Sequence, residues 1–185
     1  MKKGILFVFL VMAAMAVHAQ SKSKIKGLGD GMVSVTNVDG KMALNIGGYG
    51  GILINNKWTF GASGNNFFFS KSIGSENRKF QFAYYGLYNE YRFGQLRNVH
   101  LSAAVTTGIG ALHTKSAAVK PEYKLDGKWT PVVQPKLILN VPVTSFMQVQ
   151  VHGSYLLTGK TNNSGFTKQR MNGVDGGISL VFGGL

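Results

Sequence analysis

His100 and Ser102 stand two residues apart in a stretch that alternates apolar and polar positions, with Glu90 upstream. On a strand, side chains at i and i+2 share a face, so an imidazole and a hydroxyl would be neighbours. With a carboxylate behind them, these are the residue types of acyl transfer: a nucleophile, a base for its proton and an orienting acid. The reaction also needs donors for an oxyanion, and nothing in the sequence marks them. No catalytic set is assigned, and the chain is read as non-enzymatic.

Metal and cofactor chemistry have less to stand on. The chain has four histidines and no cysteine. His18 lies in an amino-terminal apolar run, His113 opens a connecting segment, and His100 and His152 are not at ligand spacing. Without cysteine there is no disulfide framework, no thiol nucleophile and no lipid-modified amino-terminal thiol. The glycine runs sit within alternating stretches, not at a strand-to-helix turn, so they relieve crowding and cradle no phosphate. No metal and no cofactor is expected, and no ligand-binding residue is assigned.

The positioning elements begin after residue 19. Lys2 and Lys3, the apolar Gly4 to Val17 and the Val17-His18-Ala19 site read as a secretory signal over residues 1–19. The apolar run is shorter than the roughly 20 residues that span a bilayer as a helix. Residues 20–27 read as a flexible lead-in and residues 28–185 as one folded domain. Twenty-five glycines, four prolines and only 15% charged residues argue against a helical or disordered chain.

What recurs is alternation of period two. Met42 to Ile54, Val99 to Ala111, Met147 to Leu157 and Val174 to Phe182 all show it. With weaker candidates the sequence predicts eight strands, near 28–37, 41–54, 57–69, 79–93, 98–112, 128–141, 146–158 and 172–183. Asn55-Asn56, Gly94 to Asn98 and Pro142 to Ser145 read as tight turns. Ser70 to Arg78, His113 to Gly127 and Gly159 to Met171 read as longer connections, and Val38-Asp39-Gly40 is a short one at that same end. Short connections at one end and mostly long ones at the other predict an all-β, eight-stranded, antiparallel up-and-down transmembrane barrel, with short periplasmic turns and longer extracellular loops.

Face chemistry distinguishes this from a soluble barrel. One face is Val, Leu and Ile; the other is mostly Gly, Ser, Thr, Asn and Gln, which suits an eight-stranded interior filled by side chains. The apolar face then meets hydrocarbon, where closed pairing leaves no backbone edge unsatisfied. Trp58, Phe60, Tyr91, Phe93 and Phe182 fall near the periplasmic rim, and Phe68, Trp129 and Tyr155 near the other, as interfacial girdles do. The inward set holds Glu90, Arg92, His100, Lys136, His152 and Asp175, with Tyr49, Tyr84 and Tyr88. Charges in a narrow barrel are costly unless paired, so these six are expected to form a structural network across the lumen.

Gly47-Gly48-Tyr49-Gly50-Gly51-Ile52-Leu53-Ile54-Asn55-Asn56 followed by Phe60-Gly61 resembles small outer-membrane β-barrel proteins of the Bacteroidetes type. So do Tyr84-Tyr85-Gly86-Leu87 with Glu90-Tyr91, Val99-His100-Leu101-Ser102 with Gly108-Ile109-Gly110, and the closing Gly176 to Gly183. The resemblance implies an OmpX-like or OmpA-transmembrane-like barrel, delivered by the outer-membrane assembly machinery, and most such proteins have no assigned activity. One departure is that Phe182 stands ahead of Leu185, where many such barrels end on an aromatic residue.

Half of the twenty basic residues behind the net charge of +13 are spread through the long connections: Lys71, Arg78 and Lys79, then Lys115, Lys120, Lys124 and Lys128, then Lys160, Lys168 and Arg170. No RNA-binding signature accompanies them, and nucleic acid is not an expected partner. For an exported chain the nearer anions are lipopolysaccharide phosphates and acidic glycans. The chain is therefore expected in the bacterial outer membrane as a monomer, in contact with outer-membrane lipid and lipopolysaccharide. Its role is read as structural or interactive, through basic extracellular loops. An outer-membrane enzyme acting on lipid, similar to the lipid A deacylases in its His–Ser pair, and a soluble exported barrel holding a hydrophobic ligand are the alternatives.

Overall fold

In the computed structural model, residues 24–38, 41–73, 76–96, 99–115, 129–160 and 171–184 are described. They form eight strands: β1 (Ile25–Val38), β2 (Lys41–Ile54), β3 (Trp58–Ile73), β4 (Glu76–Leu96), β5 (Val99–Lys115), β6 (Thr130–Pro142), β7 (Met147–Thr158) and β8 (Gly173–Gly183). Each strand pairs antiparallel with its chain neighbours, and β8 pairs with β1 to close the barrel.

The register fixes the geometry. Ile25 pairs with Ile54, Ile54 with Trp58, Trp58 with Tyr91, Tyr91 with Ala103, Ala103 with Leu137, Leu137 with Gly153, Gly153 with Gly176, and Gly176 with Val35. One circuit thus returns to β1 at Val35 instead of Ile25, a shear of ten residues from 25 to 35. Eight strands with this stagger tilt by about 40° and enclose a space just wide enough for side chains. At two cross-strand glycine pairs the strands come too close for any side chain. Gly51 faces Gly61 and Gly86 faces Gly108, and a Cβ on any of them would meet the opposite backbone.

The short connections close as their residues demand. Asn55 and Asn56 both take positive φ (53° and 57°), the left-handed region that asparagine tolerates. The Lys57 N–H donates to the Ile54 carbonyl at 3.0 Å. In the β6–β7 turn, the N–H groups of Val143 and Thr144 both donate to the Met147 carbonyl at 2.9 Å.

Four boundaries differ from the sequence expectation, one of them in the turn expected at Gly94 to Asn98, where Gly94, Gln95 and Leu96 pair with Leu101, His100 and Val99 as strand. Strand β1 begins at Ile25 and pairs there with Ile54, so the end of the 20–27 lead-in is barrel wall. The 70–78 segment is not a loop: Ser70 pairs with Lys79 and Ile73 with Glu76. His113 is not the start of a loop but a β5 residue opposite Gln81. Below the extension, Phe69 and Phe80 stack at 5.5 Å, anchoring a hairpin whose serines and charges read as a connection. The signal segment 1–19, Lys120, Lys124, Lys128, Lys168 and Arg170 lie outside the described residues.

The two faces are sharply different. Every strand presents large apolar side chains outward, among them Val33, Ile46, Phe68, Leu87, Ile109, Leu137, Val151 and Ile178. Trp58, Phe60, Tyr91, Phe93 and Phe182 are exposed at the end bearing the short turns, and Phe68, Trp129 and Tyr155 towards the other. Trp58 packs on Tyr91 (4.5 Å) and Phe60 (5.9 Å).

Inside, the filling is layered and not uniformly polar. Towards the loop end Phe67, Phe82, Tyr84, Leu112, Leu156 and Met171 belong to one buried apolar cluster. Towards the turn end Leu28, Tyr49, Leu53, Tyr88, Ile138 and Val181 belong to a second. Polar side chains occupy the remaining inward positions, and the upper apolar layer is a correction to the expected polar interior.

Candidate functional site

The lumen is where this sheet gathers its chemistry. Alternation sends every second residue inward, so β8 delivers Asp175, β7 His152 and Ser154, β1 Ser34 and β2 Asn45 to one level. The Asp175 carboxylate accepts from Ser34 Oγ at 2.6 Å and from Ser154 Oγ at 3.0 Å, with His152 Nε2 at 3.4 Å. Asn45 Nδ2 donates on to Ser34 Oγ at 2.9 Å. One carboxylate therefore ties β1, β2, β7 and β8 together across the closing seam.

Above it, Tyr84 donates its hydroxyl to Gln134 Oε1, and Gln134 Nε2 donates to Ser154 Oγ at 2.9 Å. Lys136 reaches Met32, with Nζ 3.5 Å from Sδ, and lies within electrostatic range of Asp175, Asp30 and Glu90. Asp30 itself accepts the backbone N–H of Tyr49 at 2.5 Å.

Towards the turn end, Glu90 receives the Tyr88 hydroxyl at 2.9 Å and stands 3.8 Å from Arg92 Nε. Tyr88 stacks on Tyr49 at 4.0 Å with 15° between the rings. Nearby, Asn140 Nδ2 donates to Ser102 Oγ at 2.7 Å, while its Oδ1 accepts from Gln150 at 2.8 Å and Gln148 at 3.1 Å.

Of the six expected lumen residues, the structure brings together His152 with Asp175 and Glu90 with Arg92. Lys136 lies within charge range of both carboxylates. His100 is half-buried at the start of β5, within electrostatic range of Arg92, and its carbonyl accepts from Asn140 at 3.3 Å. The His100–Ser102–Glu90 arrangement that acyl transfer would use is not assembled: Glu90 is engaged by Tyr88 and Arg92. In the Asp175 cluster both serines and the histidine converge on the carboxylate, so no imidazole stands between serine and acid as a general base. No group of three or more His, Asp or Glu suited to a metal occurs among the described residues.

Two contributors escape a reading from sequence. Asp30 sits between Gly29 and Gly31, where no apolar alternation sets a phase. Met171 lies in a polar segment, yet it is buried among the upper aromatics and its N–H donates to Thr158 Oγ1 at 2.7 Å. Neither has a local sequence signal.

The comparisons bear on this architecture as a whole. Neisserial surface protein A, a crystal structure, superposes with a TM-score of 0.63 at 12% identity, covering 88% of this chain and 98% of that one. The barrel fold is the same. Ail, the attachment invasion locus protein of Yersinia pestis, is more distant, at a TM-score of 0.48 and 12% identity over 86% of this chain and 97% of that one. No protein-family model matches the chain, and no curated protein matches it. What the likeness to Neisserial surface protein A shows is the barrel fold alone.

Proposed function

We propose that the chain is an integral outer-membrane barrel, OmpX-like and of the Bacteroidetes type, non-enzymatic and monomeric. Its role is structural and interactive at the cell surface. The observation that carries this reading is the outward belt. Large apolar side chains are exposed on all eight strands, far more than the few hundred Å² a soluble monomer leaves contiguous. A belt flanked by two aromatic bands is what a bilayer solvates.

Interaction would be made at the loop end. There β3 runs past its last β2 pair, Leu44 with Phe68, and β5 past its last β6 pair, Gly110 with Thr130. Among the described residues a three-stranded sheet of β3, β4 and β5 thus rises above the closed wall, a platform that a partner could meet. The basic residues of the long loops would meet lipopolysaccharide phosphates. The six lumen residues serve as a structural network, and the outer-membrane assembly machinery and outer-membrane lipid are the remaining partners.

Membrane extraction tests the reading. The expressed protein should stay in the pellet through an alkaline carbonate wash and leave it only with detergent. Release by carbonate alone would identify a soluble exported barrel. In planar bilayers the purified protein should show no large stable conductance, because side chains fill the lumen. A porin-like conductance would contradict that filling.

A further inference from the structure

The seven acidic residues are unevenly distributed along the barrel. Glu76 starts β4 at the loop end, and Asp39, Glu122 and Asp126 belong in sequence to connections at that same end. Glu90 and Asp175 are fully buried, and the Asp30 carboxylate accepts the Tyr49 N–H within the span of β1. Among the described residues, therefore, no Asp or Glu side chain is exposed at the turn end.

Two lysines stand there instead, and the backbone brings them together. The Lys24 N–H donates to Asn55 Oδ1 at 3.2 Å, and the Lys24 carbonyl accepts the Asn55 N–H at 3.0 Å. Lys57 is fixed on the same β2–β3 turn. Its N–H donates to the Ile54 carbonyl at 3.0 Å, and its carbonyl accepts the Arg92 N–H at 2.9 Å. Both lysines are exposed. Each lies one residue beyond the wall, since Ile25 pairs with Ile54 and Ile54 with Trp58. Trp58, packed on Tyr91 and Phe60, faces outward beside them. An indole held at the membrane interface puts Lys24 and Lys57 at the depth of the headgroups. Across the barrel the β6–β7 turn presents Val143 and Phe146 and no charge.

We propose that Lys24, Lys57 and the Trp58 stack form a site for an anionic phospholipid of the periplasmic leaflet. The lysines meet its phosphate, and the rings meet its glycerol and upper acyl carbons. Charge complementarity selects the lipid: a zwitterionic headgroup brings its own ammonium towards the two lysines, and an anionic one does not. One lysine close to anionic lipid favours it about fivefold. The site rests on the membrane reading above, and the test separates the two.

Trp129→Phe leaves Trp58 as the single tryptophan of the chain. This protein is folded into phosphatidylcholine vesicles that carry a minor fraction of brominated phosphatidylglycerol or, separately, of brominated phosphatidylcholine. Half-maximal quenching of Trp58 should need a mole fraction of the anionic lipid at least about fivefold lower than of the zwitterionic one. Lys24→Gln with Lys57→Gln should abolish that preference while leaving quenching by brominated phosphatidylcholine unchanged. Lys160→Gln, an exposed lysine at the loop end, should leave the preference intact. Absence of quenching by either lipid would overturn the membrane reading and the site with it. Equal quenching by the two lipids would overturn the site alone. So would a preference that survives the paired glutamines, or one that Lys160→Gln removes as fully as they do.

Discussion

Asp175→Ala is expected to destabilise the barrel by about 3–5 kcal/mol, the cost of removing one partner from a buried polar cluster. Asp175 is fully buried and accepts two serine hydroxyls while facing His152. Its loss leaves those groups without their acceptor on β1 and β7, the two strands that flank β8. Asp175→Asn keeps an acceptor oxygen and should cost clearly less. Reversible unfolding in lipid vesicles measures both. A cost below about 1 kcal/mol for Asp175→Ala, the scale of an ordinary hydrogen bond, would mean that the lumen cluster does not hold the wall together.

A second large effect is expected on the opposite face. Val151 points outward near the middle of β7, paired with Leu139 and Ile178, while neighbouring Gln150 points inward and donates to Asn140. Val151→Arg should cost about 2–4 kcal/mol if the site lies near the bilayer midplane. Ser145→Arg, in the exposed β6–β7 turn, should be nearly neutral because water solvates it. Equal stability of the two variants in vesicles would remove Val151 from hydrocarbon.

These two residues also show what was legible in the sequence. Val149, Gln150, Val151 and His152 alternate without interruption, so the face of each follows from strand periodicity alone. The same phase carried Glu90, Arg92, Lys136 and Asp175 inward. Where the alternation lapses, so does the reading. Phe67-Phe68-Phe69 is apolar on both faces, and it hid the upper apolar layer. Counting phase back from Glu90 would have placed Phe80 and Phe82 inward. Ser70 to Arg78 is polar on both faces, so it resembles a loop, yet backbone pairing between β3 and β4 continues through it. Register is a non-local property, which no local pattern records.

The central claim, that the outer face is dissolved in lipid, can be tested with the two tryptophans the chain carries. Trp58 and Trp129 are 42% and 61% exposed, one towards each rim of the barrel. The measurement is tryptophan fluorescence of the folded protein in vesicles of brominated phospholipids, with bromine placed either near the headgroup or at the chain ends. The account predicts strong quenching by the shallow bromines and weaker quenching by the deep ones, as for rings held at the two interfaces. Emission unchanged by bromine at either depth would contradict it.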